Sequence, residues 1–255
     1  MSETIDGFVC GTDGCATAPD QLATQSGLEI SRTLQVDIVS DAICPWCYVA
    51  KRQFETALPI LQKSFDVSVQ WYPFQLNPAM PKEGLDRKAY RSAKFGSWEH
   101  SQQLDAQVAH AGAQVGLNFH HERMERTPNT VDAHRLIWLA GQRSVQDAVV
   151  EGLFFGYFSD GRDVGNRAVL ADIAQQAGLP KTDVVAFLDS DVGLEAVRQA
   201  EAVARHAGLA SVPTFIVNGK AMFSGALRSE LMVERILTTF GANAAGDRDQ
   251  PSLAC

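Results

Sequence analysis

The chain contains 255 residues, of which 45% are apolar and 20% are charged, and its formal net charge is −8. The apolar fraction is that of a globular protein and is too large for a chain that is disordered throughout. The acidic balance argues against nucleic acid as a partner, because binding to phosphates requires clustered lysine and arginine. No run of about 18 uncharged apolar residues occurs, so we predict no membrane-spanning segment and no membrane partner.

The cysteine content and the first residues favour a cytoplasmic protein. Five cysteines are too few, and odd in number, for a disulfide scaffold. A secretory signal needs an early positive charge and then an apolar run, but the first basic residue is Arg32. In the cytoplasm, any pair of cysteines must be explained by redox chemistry, metal binding or chance.

Residues 1–32 are rich in small and polar residues, which indicates a flexible extension. The first predicted secondary structure follows this segment. Leu34, Val36 and Ile38 alternate with more polar neighbours and predict a strand over 34–39. A helical pattern then runs from Cys47 to Phe65, with a kink expected at Pro59. A second strand over 67–74 completes a βαβ unit with parallel strands.

The character of the sequence changes between residues 81 and 206, where a period of 3.6 residues dominates and strand signals are absent. Seven helices are predicted there, near 85–95, 100–115, 130–142, 145–159, 166–177, 182–189 and 191–206. Strands return at 212–217 and 220–225, joined by the hairpin signal Asn218-Gly219, and a helix over 229–240 follows. Residues 242–255 form a small, polar tail.

The motif that carries chemistry is Cys44-Pro45-Trp46-Cys47, which opens a helix directly after a strand. Unpaired backbone N–H groups at the start of that helix favour a thiolate at Cys44. Cys47 lies about one turn further and is expected to be more buried, in a position to resolve a mixed disulfide. The alternative is half of a zinc site, but such a site needs four ligands and no second close Cys or His pair is present.

These residues resemble the DsbA superfamily and, more narrowly, its FrnE-like branch. The similarity rests on the CPWC motif, on PNTVDAHRL over 128–136 and on VPTFIVNGKAMFSGA over 212–226. It implies an α/β thioredoxin-like fold with an all-helical domain inserted between the second and third strands. The thioredoxin-like domain then spans 33–80 and 207–241, and the helical insertion spans 81–206.

The resemblance also implies roles for individual residues. Cys44 and Cys47 are the catalytic pair, and Pro213 follows a cis peptide bond. The substrate is expected to meet Pro45, Trp46, Asn129, Val212 and Pro213. Asn129 has an alternative interpretation, because asparagine at a helix start is an ordinary helix cap. No metal or other cofactor is expected.

Two other functions remain open on the same scaffold. Kappa-class glutathione transferases and hydroxychromene-carboxylate isomerases generally carry serine where this chain has Cys44. They also carry a glutathione-holding acidic segment, whereas this chain has Ser224 to Arg228 without an aspartate. A non-enzymatic redox-sensing holdase is the third candidate. The expected partners are protein or small-molecule thiols and disulfides, with glutathione among them, and a symmetric homodimer would be common.

Three further features have competing interpretations. Cys10 and Cys15 flank two glycines and form either an auxiliary redox pair or two idle thiols. Lys51-Arg52 is interpreted as an ordinary solvated face of the active-site helix. His120-His121-Glu122 is interpreted as a solvated loop rather than a metal site, because adjacent residues point to different sides.

Overall fold

A computed structural model describes residues 33–241. Its central sheet has four strands in the order β2-β1-β5-β6. Their bounds are β1 Thr33–Ser40, β2 Asp66–Pro73, β5 Thr214–Val217 and β6 Lys220–Ser224. Strand β1 pairs parallel to β2 and antiparallel to β5, and β6 pairs antiparallel to β5. The predicted βαβ unit and the hairpin at Asn218-Gly219 are therefore confirmed.

Helix α1, Pro45–Leu61, connects the two parallel strands. Its buried residues include Cys47, Ala50, Phe54, Ala57 and Leu61, which recur at helical spacing and face the sheet. Pro59 lies inside the last turn, and α1 ends two residues later, short of the predicted end at Phe65.

Between β2 and β5 the chain forms seven helices within the described residues. They are α2 Arg87–Phe95, α3 Trp98–Ala113, α4 Val131–Gly141, α5 Gln146–Phe158, α6 Arg167–Gln176, α7 Lys181–Leu188 and α8 Leu194–His206. The prediction of an all-helical insertion needs one correction, because Leu85–Asp86 (β3) pairs antiparallel with Arg126–Thr127 (β4). This two-residue ladder fixes the start of α2, where the Arg87 N–H donates to the Glu125 carbonyl at 2.8 Å.

The insertion and the sheet share one continuous hydrophobic core. Tyr48 of α1 stacks on Phe154 of α5 with ring centroids 5.1 Å apart, and Trp71 of β2 meets Phe154 edge-on at 6.3 Å. Helix α9, Ser229–Ile236, packs on α1, and a single π-helical turn over Leu237–Gly241 ends the described chain. None of the helices within 33–241 is long and apolar enough to cross a bilayer.

Candidate active site

Cys44 occupies the position immediately before the first residue of α1. Its N–H donates to the Asp41 carbonyl at 3.0 Å, and its side chain makes no capping hydrogen bond. Pro45 follows as the first helical residue, where the missing N–H costs nothing. The Cys44 thiol is 5% exposed and donates to the Val212 carbonyl at 3.6 Å. This sulfur therefore lies between the start of α1 and the loop before β5.

Cys47 lies behind Cys44 and is fully buried. Its N–H donates to the Cys44 carbonyl at 3.0 Å, and both cysteines are free thiols. Burial raises the pKa of the Cys47 thiol well above its usual range, and a hydrogen bond with the Cys44 thiol raises it further. Cys47 is therefore held as a protonated thiol, whereas Cys44 is the one that borders open space.

A buried carboxylate, Asp41, lies beneath the two cysteines. Its Oδ2 accepts the Leu76 N–H at 2.7 Å, and its Oδ1 lies 3.4 Å from Nε2 of His134, which is also buried. The negative charge of Asp41 is a smaller contribution to the raised pKa of Cys47, after burial and the Cys44 thiol. No pattern in the sequence alone singles out Asp41 as a site residue. Its position three residues before the motif, in apolar surroundings, was the available signal.

Trp46 and Val212, which are predicted to meet substrate, lie beside Cys44. Trp46 is 42% exposed beside the thiols, as its place inside the motif predicts. The Val212–Pro213 peptide bond is cis. Thr214 fixes this loop, because its Oγ1 donates to the Ser211 carbonyl at 2.8 Å.

A cavity of about 430 Å³ opens beside Cys44. Its lining comes from the start of α1 and Val212 and from α2, α3 and the segment around His121. Its aromatic and apolar walls include Trp46, Leu76, Tyr90, Phe95, Leu104, Val108, Met124, Tyr157 and Phe158. The cysteine motif and the helices between β2 and β5 thus line one cavity.

The charged residues in the cavity wall come from α2 and α3. Arg87 and Arg91 both bind the Asp105 carboxylate, at 2.6 and 2.7 Å. Lys94 donates to Oδ1 of Asn77 at 2.8 Å.

Burial is the main cause that lowers the pKa of His121 to about 4, so its imidazole is neutral at pH 7. The interpretation of His121 as part of a solvated loop is wrong, since its side chain is only 13% exposed.

Asn129 does not line this cavity. Its Nδ2 donates to the Met80 carbonyl at 2.7 Å, and its Oδ1 accepts the Val131 N–H at 3.0 Å at the start of α4. It borders a separate cavity of about 230 Å³ that also contains Asp132 and Arg167. Both ends of the Asn129 amide are therefore engaged in local structure next to α4, whose N-cap residue is Thr130, and a contact between Asn129 and substrate stays a prediction.

The surroundings of Lys51 also differ from the predicted ones. Its side chain is only 2% exposed, and its Nζ lies 3.1 Å from Asp147 and 3.2 Å from Glu151, with Glu55 in contact as well. Burial alone would lower the pKa of Lys51, but these three carboxylates raise it above its ordinary value. The interpretation as a solvated face is therefore wrong for Lys51, which connects α1 to α5.

Some candidates lie outside the structure's scope. Cys10, Cys15 and the segments 1–32 and 242–255 are outside the described residues, so the auxiliary redox pair stays a prediction. Within 33–241, no three His, Cys, Asp or Glu side chains come together as a metal site.

Comparison with known proteins agrees with this geometry. Residues 35–237 match the family of DSBA-like thioredoxin domains. The chain therefore belongs to that family of thiol oxidoreductases.

Individual relatives are consistent with the family. A structure of the probable DsbA oxidoreductase SCO1869 from Streptomyces coelicolor is 30% identical, with a TM-score of 0.75, covering 87% of this chain and 94% of that one. The uncharacterized protein YwbO of Bacillus subtilis is 27% identical over 80% of this chain and 96% of its own length. The cytosolic disulfide reductase DsbM from Pseudomonas aeruginosa, solved with GSH, shares the fold at 15% identity, with a TM-score of 0.57, covering 82% of this chain and 99% of that one.

Proposed function

We propose that this protein is a thiol–disulfide oxidoreductase in which Cys44 attacks the substrate and Cys47 resolves the intermediate. The supporting observation is the difference between the two thiols. Cys44 borders a cavity, whereas Cys47 is fully buried, and burial raises the pKa of its thiol well above the usual range. A substrate can reach only one of the two sulfurs directly, and this defines the order of the steps.

In the reducing direction, the Cys44 thiolate attacks one sulfur of a substrate disulfide. A Cys44–substrate disulfide forms, the substrate's own S–S bond breaks, and one substrate thiolate leaves. Cys47 then loses its proton and attacks the Cys44 sulfur, which releases the second substrate thiolate. Two electrons pass from the protein to the substrate, and Cys44 and Cys47 end as a disulfide. The oxidising direction is the reverse sequence.

Val212 is proposed to help hold the substrate. Its carbonyl accepts the Cys44 S–H when the enzyme is reduced. Once Cys44 is in a mixed disulfide, that donor is gone and the carbonyl is free to accept an N–H of an extended substrate. Pro45, Trp46 and Pro213 are proposed to contribute the remaining surface beside the sulfur. We assign the protein to the FrnE-like branch and to the cytoplasm as part of the same proposal.

The test is to trap the intermediate. Cys47→Ser is expected to accumulate a mixed disulfide at Cys44 after exposure to a disulfide substrate, because attack proceeds and resolution fails. Cys44→Ser is the matched control and should accumulate nothing at the motif. Mass spectrometry of proteolytic fragments identifies the modified cysteine.

Each rival function gives a distinct outcome. Trapping at Cys10 or Cys255 with Cys44 free contradicts the assignment. Full activity in Cys47→Ser favours a glutathione-dependent transferase or isomerase, which needs only one group at this position. Client binding that survives Cys44→Ser, without any turnover, favours the holdase.

A further inference from the structure

Besides Arg87, which pairs with Asp105, helix α2 contributes two further cations to the lining of the cavity, Arg91 and Lys94. Arg91 lies over the Phe95 ring, with its guanidinium carbon 4.8 Å from the ring centroid, and its Nε donates to Oγ of Ser101 at 2.6 Å. Lys94 has its Nζ 5.5 Å from the Tyr90 ring centroid and bonded to Asn77. Both cations are therefore oriented by neighbours before any ligand arrives.

These cations are not balanced by acids in the cavity wall. Arg87, Arg91 and Lys94 face a single carboxylate, Asp105, while His121 is neutral. With Cys44 left out of the count, these side chains carry a net charge of +2 at pH 7, in a chain whose formal net charge is −8. Burial is the main cause that lowers the pKa of Arg91; the negative charge of Asp105 opposes this shift, and the positive charge of Arg87 adds to it. An anion in the cavity would relieve this repulsion.

The remaining surface suits a small molecule. A volume of about 430 Å³ lies within the usual range for small-ligand sites of roughly 300–1,000 Å³. The aromatic side chains Trp46, Tyr90 and Phe95 line the cavity together with Cys44. A few placed charges among apolar walls are typical of small-molecule recognition rather than of a protein-docking face.

We propose that this cavity binds anionic low-molecular-weight disulfides and thiols, with the substrate's carboxylate at Lys94 and Arg91 and its sulfur at Cys44. This inference rests on the proposed function and adds a substrate class to it. Lys94 and Arg91 are then specificity-determining residues that act before the sulfur chemistry begins.

The probes are two aromatic disulfides, of which one is anionic and the other is neutral. Dithiobis(nitrobenzoate) carries a carboxylate on each half, whereas dithiodipyridine is neutral at pH 7. With either probe, Cys44 displaces one aromatic thiolate and Cys47 displaces the second, so each reduced protein gives two electrons and releases two thiolates. Replacing Cys10, Cys15 and Cys255 by serine leaves the motif as the only source of thiols in the full-length chain.

The measurement is the second-order rate constant for each probe, in that background, with Lys94→Glu and with the matched control Lys88→Glu. Lys88 is exposed on the same helix and does not line the cavity. Lys94→Glu is expected to slow the anionic probe roughly tenfold and to change the neutral probe less than about twofold. Lys88→Glu should leave both nearly unchanged, and added salt should slow only the anionic probe.

Four results would overturn the inference. Lys94→Glu could slow both probes equally, or Lys88→Glu could match its effect. The wild-type cavity could show no preference for the anionic probe. Lys94→Glu could also slow the reduction of an unfolded protein substrate as much as it slows the anionic probe. This result would indicate that the cavity recognises acidic protein segments instead. If neither probe reacts at Cys44, the proposed function itself fails, and this outcome is distinct from the loss of charge preference.

Discussion

His121 shows how burial changes a side chain that the sequence leaves ordinary. It stacks on Phe119 with ring centroids 5.4 Å apart, and its Nε2 lies 3.9 Å from Asp105. Burial lowers its pKa from 6.5 to about 4, although Asp105 opposes the shift, while Arg87 and Arg91 add to it. The folded protein therefore keeps this imidazole neutral where the unfolded chain protonates it.

The consequence for stability has a definite sign. Between about pH 6.5 and pH 4 the unfolded state binds more protons at this position, so the contribution of His121 is complete above pH 6.5 and is lost as the pH falls. A shift of this size corresponds to at most about 3 kcal/mol of unfolding free energy. His121→Phe keeps a stacked ring and removes the titration. We expect the free energy of unfolding, measured with urea, to decrease less for this variant than for the wild type between neutral pH and pH 4.

The exposed His100 provides the control for this prediction. His100→Gln should keep the wild-type pH dependence. Parallel stability curves for His121→Phe and the wild type would show that His121 does not titrate differently on folding.

At the same scale, the sequence predicted that the cysteine pair lies at the start of a helix, but it did not predict the cavity beside the pair. The spacing of Cys44 and Cys47 is local, and a strand before the motif is enough to place it at a helix start. The cations at Arg91 and Lys94 lie more than 40 residues away in the sequence, and they line the same cavity as Cys44 only because of how α2 and α3 pack. Nothing in their immediate sequence distinguishes them from a solvated helix face.

At the scale of the elements, the contact between α1 and α5 includes a buried charged side chain, Lys51. Lys51 lies one turn after Cys47, and its ammonium group meets carboxylates from both α1 and α5. Removing one member of a buried ion pair typically costs roughly 3–5 kcal/mol, because the remaining charges lose their partner. Here the carboxylates are partly exposed, so the cost should be about 3 kcal/mol or less.

We therefore expect Lys51→Met to destabilise the protein by about 2–3 kcal/mol, as measured by denaturant unfolding. The matched control is Lys63→Met, because Lys63 is exposed and makes no ion pair in the described part of the chain. Its effect should stay within about 0.5 kcal/mol. An equal effect of the two substitutions would mean that the Lys51 network contributes nothing.

The elements also show where sequence patterns are informative. The alternation of Leu34, Val36 and Ile38 correctly predicted β1, and the helical periodicity predicted all seven inserted helices. Strands β3 and β4 were missed because each has two residues, which is too short for an alternating pattern to appear. Their pairing depends on a contact between Leu85 and Thr127, about 40 residues apart.

At the scale of the whole molecule, the segment before β1 poses a separate question. A tethered dithiol can react at high effective concentration if its linker spans the distance, and a flexible linker of about 18 residues reaches roughly 20–25 Å. We predict that deleting residues 1–30 leaves the unfolding temperature unchanged, since the sequence indicates little core there. The rate of multiple turnover should change, whereas single turnover at Cys44 should not.

Cys10→Ser/Cys15→Ser in the full-length chain separates the thiols from the segment itself. The same kinetic change in this variant and in the deletion supports an auxiliary redox pair. Unchanged turnover in both, with Cys10 and Cys15 freely alkylated in every redox state, would leave two idle thiols.

The strand order has a consequence for how the protein is made. Strand β1 lies in the middle of the sheet, and its partner β5 is reached only about 175 residues later, since Val39 pairs with Thr214. At roughly 5–20 residues per second, a ribosome needs about 9–35 seconds to deliver that partner. During this time one edge of β1 has no strand beside it, and unpaired edges are where nascent chains associate wrongly. The emerging chain is therefore expected to depend on chaperones until the last quarter of the polypeptide has left the exit tunnel.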